Sequence, residues 1–198
     1  MGDIHGCADA LERLLARARP DRVVALGDIF AKGPAPRRTW DVLRDVGAEG
    51  VLGNHDARML KLWGTGGDTP HHAACAALDD AAHAWIAALP LFLHGTMPDG
   101  VTPWVAVHAG VNPELGWVGT ERRTALVVRR WPDDTHGDTP FWWQLYRGVE
   151  HVFYGHDAVR GLQLHARTTG LDSGCVYGNQ LSGWVLEESE LVQVPARR

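Results

Sequence analysis

Five short blocks hold the residues able to do chemistry: GDIHG at 2–6, GDIFAKG at 27–33, GNHD at 53–56, HAG at 108–110 and GHD at 155–157. Together they offer Asp3, His5, Asp28, Asn54, His108 and His156 as oxygen and nitrogen donors, set among glycines that let backbone pass close by. Taken singly, a Gly-Asp or Gly-His pair at a strand end is an ordinary turn. The ordered set points to more than turns. Carboxylate, amide and imidazole donors in this mixture suit two divalent ions, with one carboxylate bridging them. Such a pair binds one water, lowers its pKa toward ~7 and aims the resulting hydroxide in line at phosphorus. No protein nucleophile is then required. The competing reading leaves the histidines as satisfied polar groups near strand ends.

The elements that must position these blocks can be read from the pattern around them. Ala8, Leu11, Leu14, Leu15 and Ala18 follow helical spacing, and Pro20 ends the run. RVVALGD is a buried strand that delivers Asp28 to a loop. A helix through Trp40, Leu43 and Val46 follows, closed by Gly47. GVLGNHD repeats the strand-to-loop theme, and the recurrence predicts α/β architecture. The glycine-rich stretch 64–72 reads as a loop, and 73–88 as one alanine-rich helix ended by Pro90. LPLFLHG and WVAVHAG read as two strands, 120–130 as a helix, and VEHVFYGHD as another strand-to-loop delivery. Beyond it, LQLHARTTGLDSGCVYGNQLSGWVLEESELVQV alternates and breaks at glycines, as antiparallel hairpins do. With no repeat and no linker, one domain over 1–198 is expected.

Composition narrows the function classes. The 198 residues carry a formal charge of −5, which argues against a phosphate-tracking nucleic-acid partner but not against a small anionic substrate. No apolar run approaches membrane-span length, and no charged and apolar leader pair is present. Cys7, Cys75 and Cys175 are odd in number and lack C-x-x-C spacing, so a reducing cytoplasm is expected. His71, His72, His83, His94, His136, His151 and His165 match no block and are expected to be surface or satisfied histidines. Trp40 and Trp85 are read as core, and Trp117, Trp131, Trp142 and Trp143 as core or lid packing ahead of base stacking. Cys175 is read as a small buried residue and EESE as a solvated hairpin.

The ordered blocks resemble the calcineurin-like metallophosphoesterases. Within them, the lysine of GDIFAKGP, with GNHD, HAGVNP, YGHDA and GLDSGCVYGNQLSG, is most similar to the ApaH-like phosphatases, the diadenosine tetraphosphatase-like branch. The resemblance implies a four-layer α/β/β/α sandwich with the site along strand ends. It implies that Asp3, His5 and Asp28 hold a first metal, and Asp28, Asn54, His108 and His156 a second, with Mn2+ first choice and Fe, Zn or Co suitable. His55 becomes the general acid for the leaving oxygen, Asp56 a residue that orients or charges it, and Lys32 and Arg129 the phosphate-binding cations. Arg130 competes with Arg129 in VVRRW. The expected substrate is a small phosphorylated anion, foremost a dinucleoside polyphosphate cut at an anhydride bond. A phosphoprotein phosphatase and a metal- or nucleotide-binding relative without turnover are the alternatives.

Two departures from the family pattern matter. Ala31 stands where protein phosphatases carry an aspartate that orients the catalytic histidine, so His55 must find another partner or serve a leaving group that needs less help. Family members also run several apolar residues before the first Gly-Asp, as a central strand. Here Met1 abuts Gly2, so that strand is expected to be missing or truncated, Asp3 and His5 to be frayed, and a few hydrophobic residues to precede Met1 natively.

Overall fold

Leu11 and Leu14 lie one helical turn apart, and the first layer assembles on the stripe they form. In the computed structural model, which describes residues 1–132 and 137–196, they sit on α1 (Ala8–Ala18). Arg19 ends this helix in the left-handed region, and its N–H donates to the Leu15 carbonyl. His136 lies outside the described residues.

Strand β1 (Val24–Ala25) leads through α2 (Pro36–Asp45) to a parallel neighbour, β2 (Glu49–Gly50), as the strand–helix–strand theme predicts. Pro36, with its φ already set, opens α2, which buries Thr39, Trp40 and Leu43. Then α3 (Asn54–Leu62) begins within the GNHD block. The single helix expected at 73–88 is two, α4 (Pro70–Ala77) and α5 (Asp80–Ala88). Leu78 is extended, and the Asp79 side chain accepts from Ala82 N at 2.9 Å, so an N-cap interrupts the alanine run. Helix α4 also starts inside the stretch read as a loop. Thr69 is its N-cap, Pro70 follows, and His71 and His72 are helical.

The second sheet has the order β3 (Phe92–Thr96), β4 (Pro103–Val107), β5 (His151–Tyr154), β7 (Thr168–Gly170), β6 (Gln163–Leu164). Its β3–β4 and β6–β7 pairs are antiparallel; β4–β5 and β5–β7 are parallel. The C-terminal region is therefore not hairpins alone, because β7 returns alongside β5. Helices α6 (Arg122–Val127) and α7 (Trp142–Leu145) lie between β4 and β5 in sequence. The chain closes with the antiparallel hairpin β8 (Gln180–Val185) and β9 (Glu190–Pro195).

Three apolar clusters separate four layers. Leu11, Leu14, Trp40, Leu43, Phe30 and Leu181 fill the space between the first helices and the first sheet. Leu26, Val51, Trp104, Ala106, Phe153 and Leu171 lie between the two sheets. Val107, Val128, Trp142, Tyr146 and Val152 pack the second sheet against α6 and α7. This is the expected α/β/β/α sandwich, with Trp40 and Trp142 in its core.

Residues 1–4 form no strand of their own, yet they are not frayed. The Met1 amine donates to the Val24 carbonyl at 2.8 Å and Leu26 N donates to the Met1 carbonyl at 2.9 Å. On the other side Gly2 N donates to the Ser182 carbonyl at 3.0 Å, so this segment joins β1 to β8. Asp3 and His5 are buried as a result. No helix among the described residues is long and apolar enough to cross a membrane.

Candidate metal centre

Every expected donor sits just past the end of a strand or strand-like segment, in a loop or, for Asn54, at the first residue of α3. Asp3 and His5 precede α1, Asp28 follows β1, Asn54 opens α3, His108 follows β4 and His156 follows β5. Gly53 and Gly155 make the crowding possible. A Cβ at Gly53 would collide with Asp28 and Asp56, and one at Gly155 with the Asp3 carboxylate.

Asp28 is the centre of the array. Its Oδ2 lies 3.6 Å from His5 Nε2 and 3.9 Å from His55 Nε2; its Oδ1 lies 3.5 Å from His108 Nε2. Two donor groups therefore share this one carboxylate: His5, Asp28 and His55 on one side, Asp28, His108 and His156 on the other, each within 4.8 Å. Asn54 Oδ1 is 2.9 Å from His108 Nε2 and 3.1 Å from His156 Nδ1. Asp3 Oδ1 accepts from His156 N at 3.0 Å and so ties the first block to the last. His5, Asp28, Lys32 and His156 all hold positive φ, at 48°, 53°, 75° and 70°. Side chains seldom tolerate that region, and such strain gathers at functional sites.

The donor chemistry fits divalent cations. His108 Nδ1 faces the Leu26 carbonyl at 2.8 Å. That carbonyl can only accept, so Nδ1 carries the hydrogen and Nε2 presents a lone pair toward the oxygens of Asn54 and Asp28. Buried lone pairs facing one another need a cation between them. Asp3 Oδ2 and His156 Nε2 are buried without a hydrogen-bond partner among the described residues. Burial pushes the Asp28 carboxyl up to about 7, and pushes His5 and His156 down to about 2. Burial, then the charges of Asp172 and Asp28, holds Asp3 well above the usual carboxylate range. A positive ion among these groups reverses each penalty.

The remaining sequence-predicted residues fall around this array. His55 Nε2 faces Asp28, and the ring is held down to about 3 by burial, then by Lys32. Lys32 Nζ lies 3.4 Å from His5 Nε2 and donates to the Tyr177 hydroxyl at 3.3 Å. Arg129 reaches the same array, its guanidinium donating to the His156 carbonyl at 3.2 Å and lying 3.5 Å from Asp157. Arg130 instead donates to the Thr139 carbonyl and lies over the Phe141 ring.

Asp56 occupies a different place from the one expected beside the His55 ring. Fully buried, its carboxylate accepts from Asp28 N at 2.7 Å, Gly53 N at 3.1 Å and Ile29 N at 3.0 Å. It clamps the two donor-bearing loops together, while burial and then Asp28 push its pKa up to about 6.

Three residues escaped the sequence reading. Asp172 is buried beside Asp3 and accepts from Gly174 N at 3.1 Å; Asp157 anchors Arg129 and Arg160. Both stood in quoted blocks, GLDSG and GHD, where only His156 was singled out. His71, expected at the surface or satisfied, is buried with its Nε2 2.7 Å from His55 Nδ1. Its signal was the Thr69-Pro70 helix start in a segment read as loop.

Comparison with known proteins places this geometry in context. Residues 1–160 match the family model described as calcineurin-like phosphoesterase. The chain is 28% identical to the bis(5'-nucleosyl)-tetraphosphatase PrpE (asymmetrical) of Halalkalibacterium halodurans, covering 100% of the chain and 93% of that protein. It is 25% identical to the symmetrical bis(5'-nucleosyl)-tetraphosphatase of Aromatoleum aromaticum, over 99% and 96%. A crystal structure provisionally named a diadenosine tetraphosphatase superposes with a TM-score of 0.87 at 31% identity, covering 99% of this chain and 91% of that one.

Proposed function

The chain belongs to the calcineurin-like phosphoesterase family and is a metal-dependent phosphohydrolase, and from that premise we propose that it cleaves phosphoanhydride bonds of dinucleoside polyphosphates in the cytoplasm, as one domain. The observation that carries the reading is Asp28, whose two oxygens face two separate donor groups. The tetraphosphatase names of relatives matched over nearly their whole length supply the substrate class.

Asp3, His5 and Asp28 would hold one divalent ion, and Asp28, Asn54, His108 and His156 the other, with manganese the first choice. When bound, the ions supply Lewis acidity and make a water acidic enough to attack phosphorus near neutral pH. The protein does the rest. Lys32 and Arg129 set positive charge where the anionic phosphoryl oxygens must lie. His55 hands its Nε2 proton to the oxygen that leaves as the P–O bond breaks. Asp56 keeps the Asp28 loop and the first turn of α3 in register.

A manganese-supplemented competition between diadenosine tetraphosphate and a phosphoserine peptide at equal concentration tests this. The nucleotide disappears first, and His55→Ala abolishes its loss. Two ADP or ATP plus AMP as products reports symmetrical or asymmetrical cleavage. Faster peptide dephosphorylation would make the protein a phosphoprotein phosphatase. Tight manganese binding with no turnover of either would make it a binding protein.

A further inference from the structure

We propose that His71 is the positioning residue for His55, fixing which imidazole nitrogen faces the cleft in place of the acid that Ala31 does not provide. The inference rests on the hydrolytic reading of His55 given above. Four observations carry it. His55 Nδ1 and His71 Nε2 are 2.7 Å apart, and the two rings lie edge to edge in nearly one plane, centroids 4.9 Å apart and planes at 11°. His71 is only 6% exposed, so water does not compete for the bond. Ala31 is fully buried and brings no polar side-chain atom to the site. The fourth is anchoring: α4 starts at a Thr69 cap, and Cys75 Sγ bonds the Met59 carbonyl of α3 at 3.6 Å, so His71 is fixed relative to His55.

The proton placement follows from the atoms. His55 Nε2, 3.9 Å from Asp28 Oδ2, is the nitrogen that faces the cleft, which leaves Nδ1 for His71. To act as an acid the ring must first be the imidazolium, which the negative charge of a bound phosphate favours. It must end neutral once Nε2 has given up its proton, so Nδ1 must keep its own. His71 Nε2 is therefore the acceptor, and the Nδ1–H remains in that bond while the Nε2 proton passes to the leaving oxygen. A neutral imidazole orients the ring as a carboxylate would, without placing negative charge beside a pocket that must hold phosphate. Histidine suits an anionic substrate here.

The test uses His71→Gln, which keeps an acceptor, and His71→Phe, which keeps the ring but has none. Turnover is followed on manganese-loaded protein with phosphate esters whose leaving groups range from p-nitrophenolate to an alkyl alcohol. His71→Phe lowers kcat by ~10–100-fold for the alkyl ester, as loss of an orienting partner does. The same variant costs under ~3-fold for the nitrophenyl ester, which needs little protonation, and KM stays unchanged for both. His71→Gln recovers most of the loss. In nitrogen-15 NMR of the magnesium-loaded protein, the His55 Nδ1 is protonated in the native and Gln forms and averages between tautomers in the Phe form. An equal loss across the ester series, or a Phe variant as active as Gln, overturns the proposal while leaving His55 as the acid. If the native protein hydrolyses nothing, the hydrolytic reading fails. The NMR then decides the His71 contact by itself, and an averaged native spectrum overturns it.

Discussion

The two ends of the same strands were put to opposite uses. At the loop end, six donors, two cations and several buried carboxylates crowd around Asp28, on backbone held in left-handed conformations. At the other end a cavity of about 510 Å³ opens beneath Met1, lined by Leu14, Val24, Trp104, Phe153 and Trp184. The other end is held mainly by burial of apolar side chains, with charged residues such as Arg22 and Glu187 at its rim, and tolerates looseness. The polar end cannot, because every buried charge there depends on a partner a few ångströms away. Convergence of lone pairs, not the cavity, marks where the chemistry lies in this molecule.

Substitution at the shared carboxylate should separate the ends most sharply. Asp28→Asn removes a ligand from both donor groups, and hydrolysis should fall by more than the ~10²–10⁴-fold expected for loss of the His55 acid alone. Equal losses in Asp28→Asn and His55→Ala would show that the two groups do not share this residue. Calorimetry of manganese binding to Asp28→Asn should find both ions weakened.

Protons compete with the metal, and the direction is fixed. Without a metal, burial raises Asp28 to about 7 and Asp56 to about 6, so between about 4 and those values each keeps its proton when folded but loses it when unfolded. They make the metal-free fold lose stability as pH rises from about 4 to about 7. His5, His55 and His156 are depressed, so they stay neutral when folded while the unfolded rings protonate below 6.5; their contribution is lost as pH falls. Binding should release a proton from Asp28 and weaken ~tenfold per pH unit below about 7, as calorimetry in buffers of different ionisation heat will show. Saturating manganese should raise Tm by ~5–10 °C at neutral pH. A pH-independent affinity would contradict the burial of Asp28.

A cation at the rim should matter less than the ligands. Lys32→Ala should slow hydrolysis ~10–100-fold, mostly through KM, because it removes one charge from the phosphate and leaves the donors in place. The smallest effect on turnover belongs to the apolar end. Leu14→Ala should cost ~2–5 kcal/mol of stability by enlarging the space beside the cavity. Its kcat should stay within ~2-fold of the native value, since Leu14 packs in the apolar cluster beneath α1 and is not one of the donors. Denaturant unfolding and steady-state kinetics on one preparation would decide it. A large loss of kcat would mean the two ends are coupled.

Much of this was legible before any coordinates. Spacing alone placed α1, α2 and the β3–β4 pair, because their apolar periodicity is local. The alanine run at 73–88 reads as one helix by composition, whereas the Asp79 cap and an extended Leu78 divide it. The parallel return of β7 beside β5 left no local trace, since pairing across a crossover is written in no short window.

The sequence by itself determined the donor types, their order and the loops that carry them, because glycines and strand-end acids are local features. Only the tertiary structure decided which atoms meet. Asp3 and His156 lie 153 positions apart and share a hydrogen bond. Asp56 clamps two loops instead of orienting a ring, Arg129 faces the site while Arg130 stacks on Phe141, and His71 takes the place an acid would fill. Each of those outcomes depends on which side chain reaches a buried partner first, and burial is a property of the packed chain rather than of any segment of it.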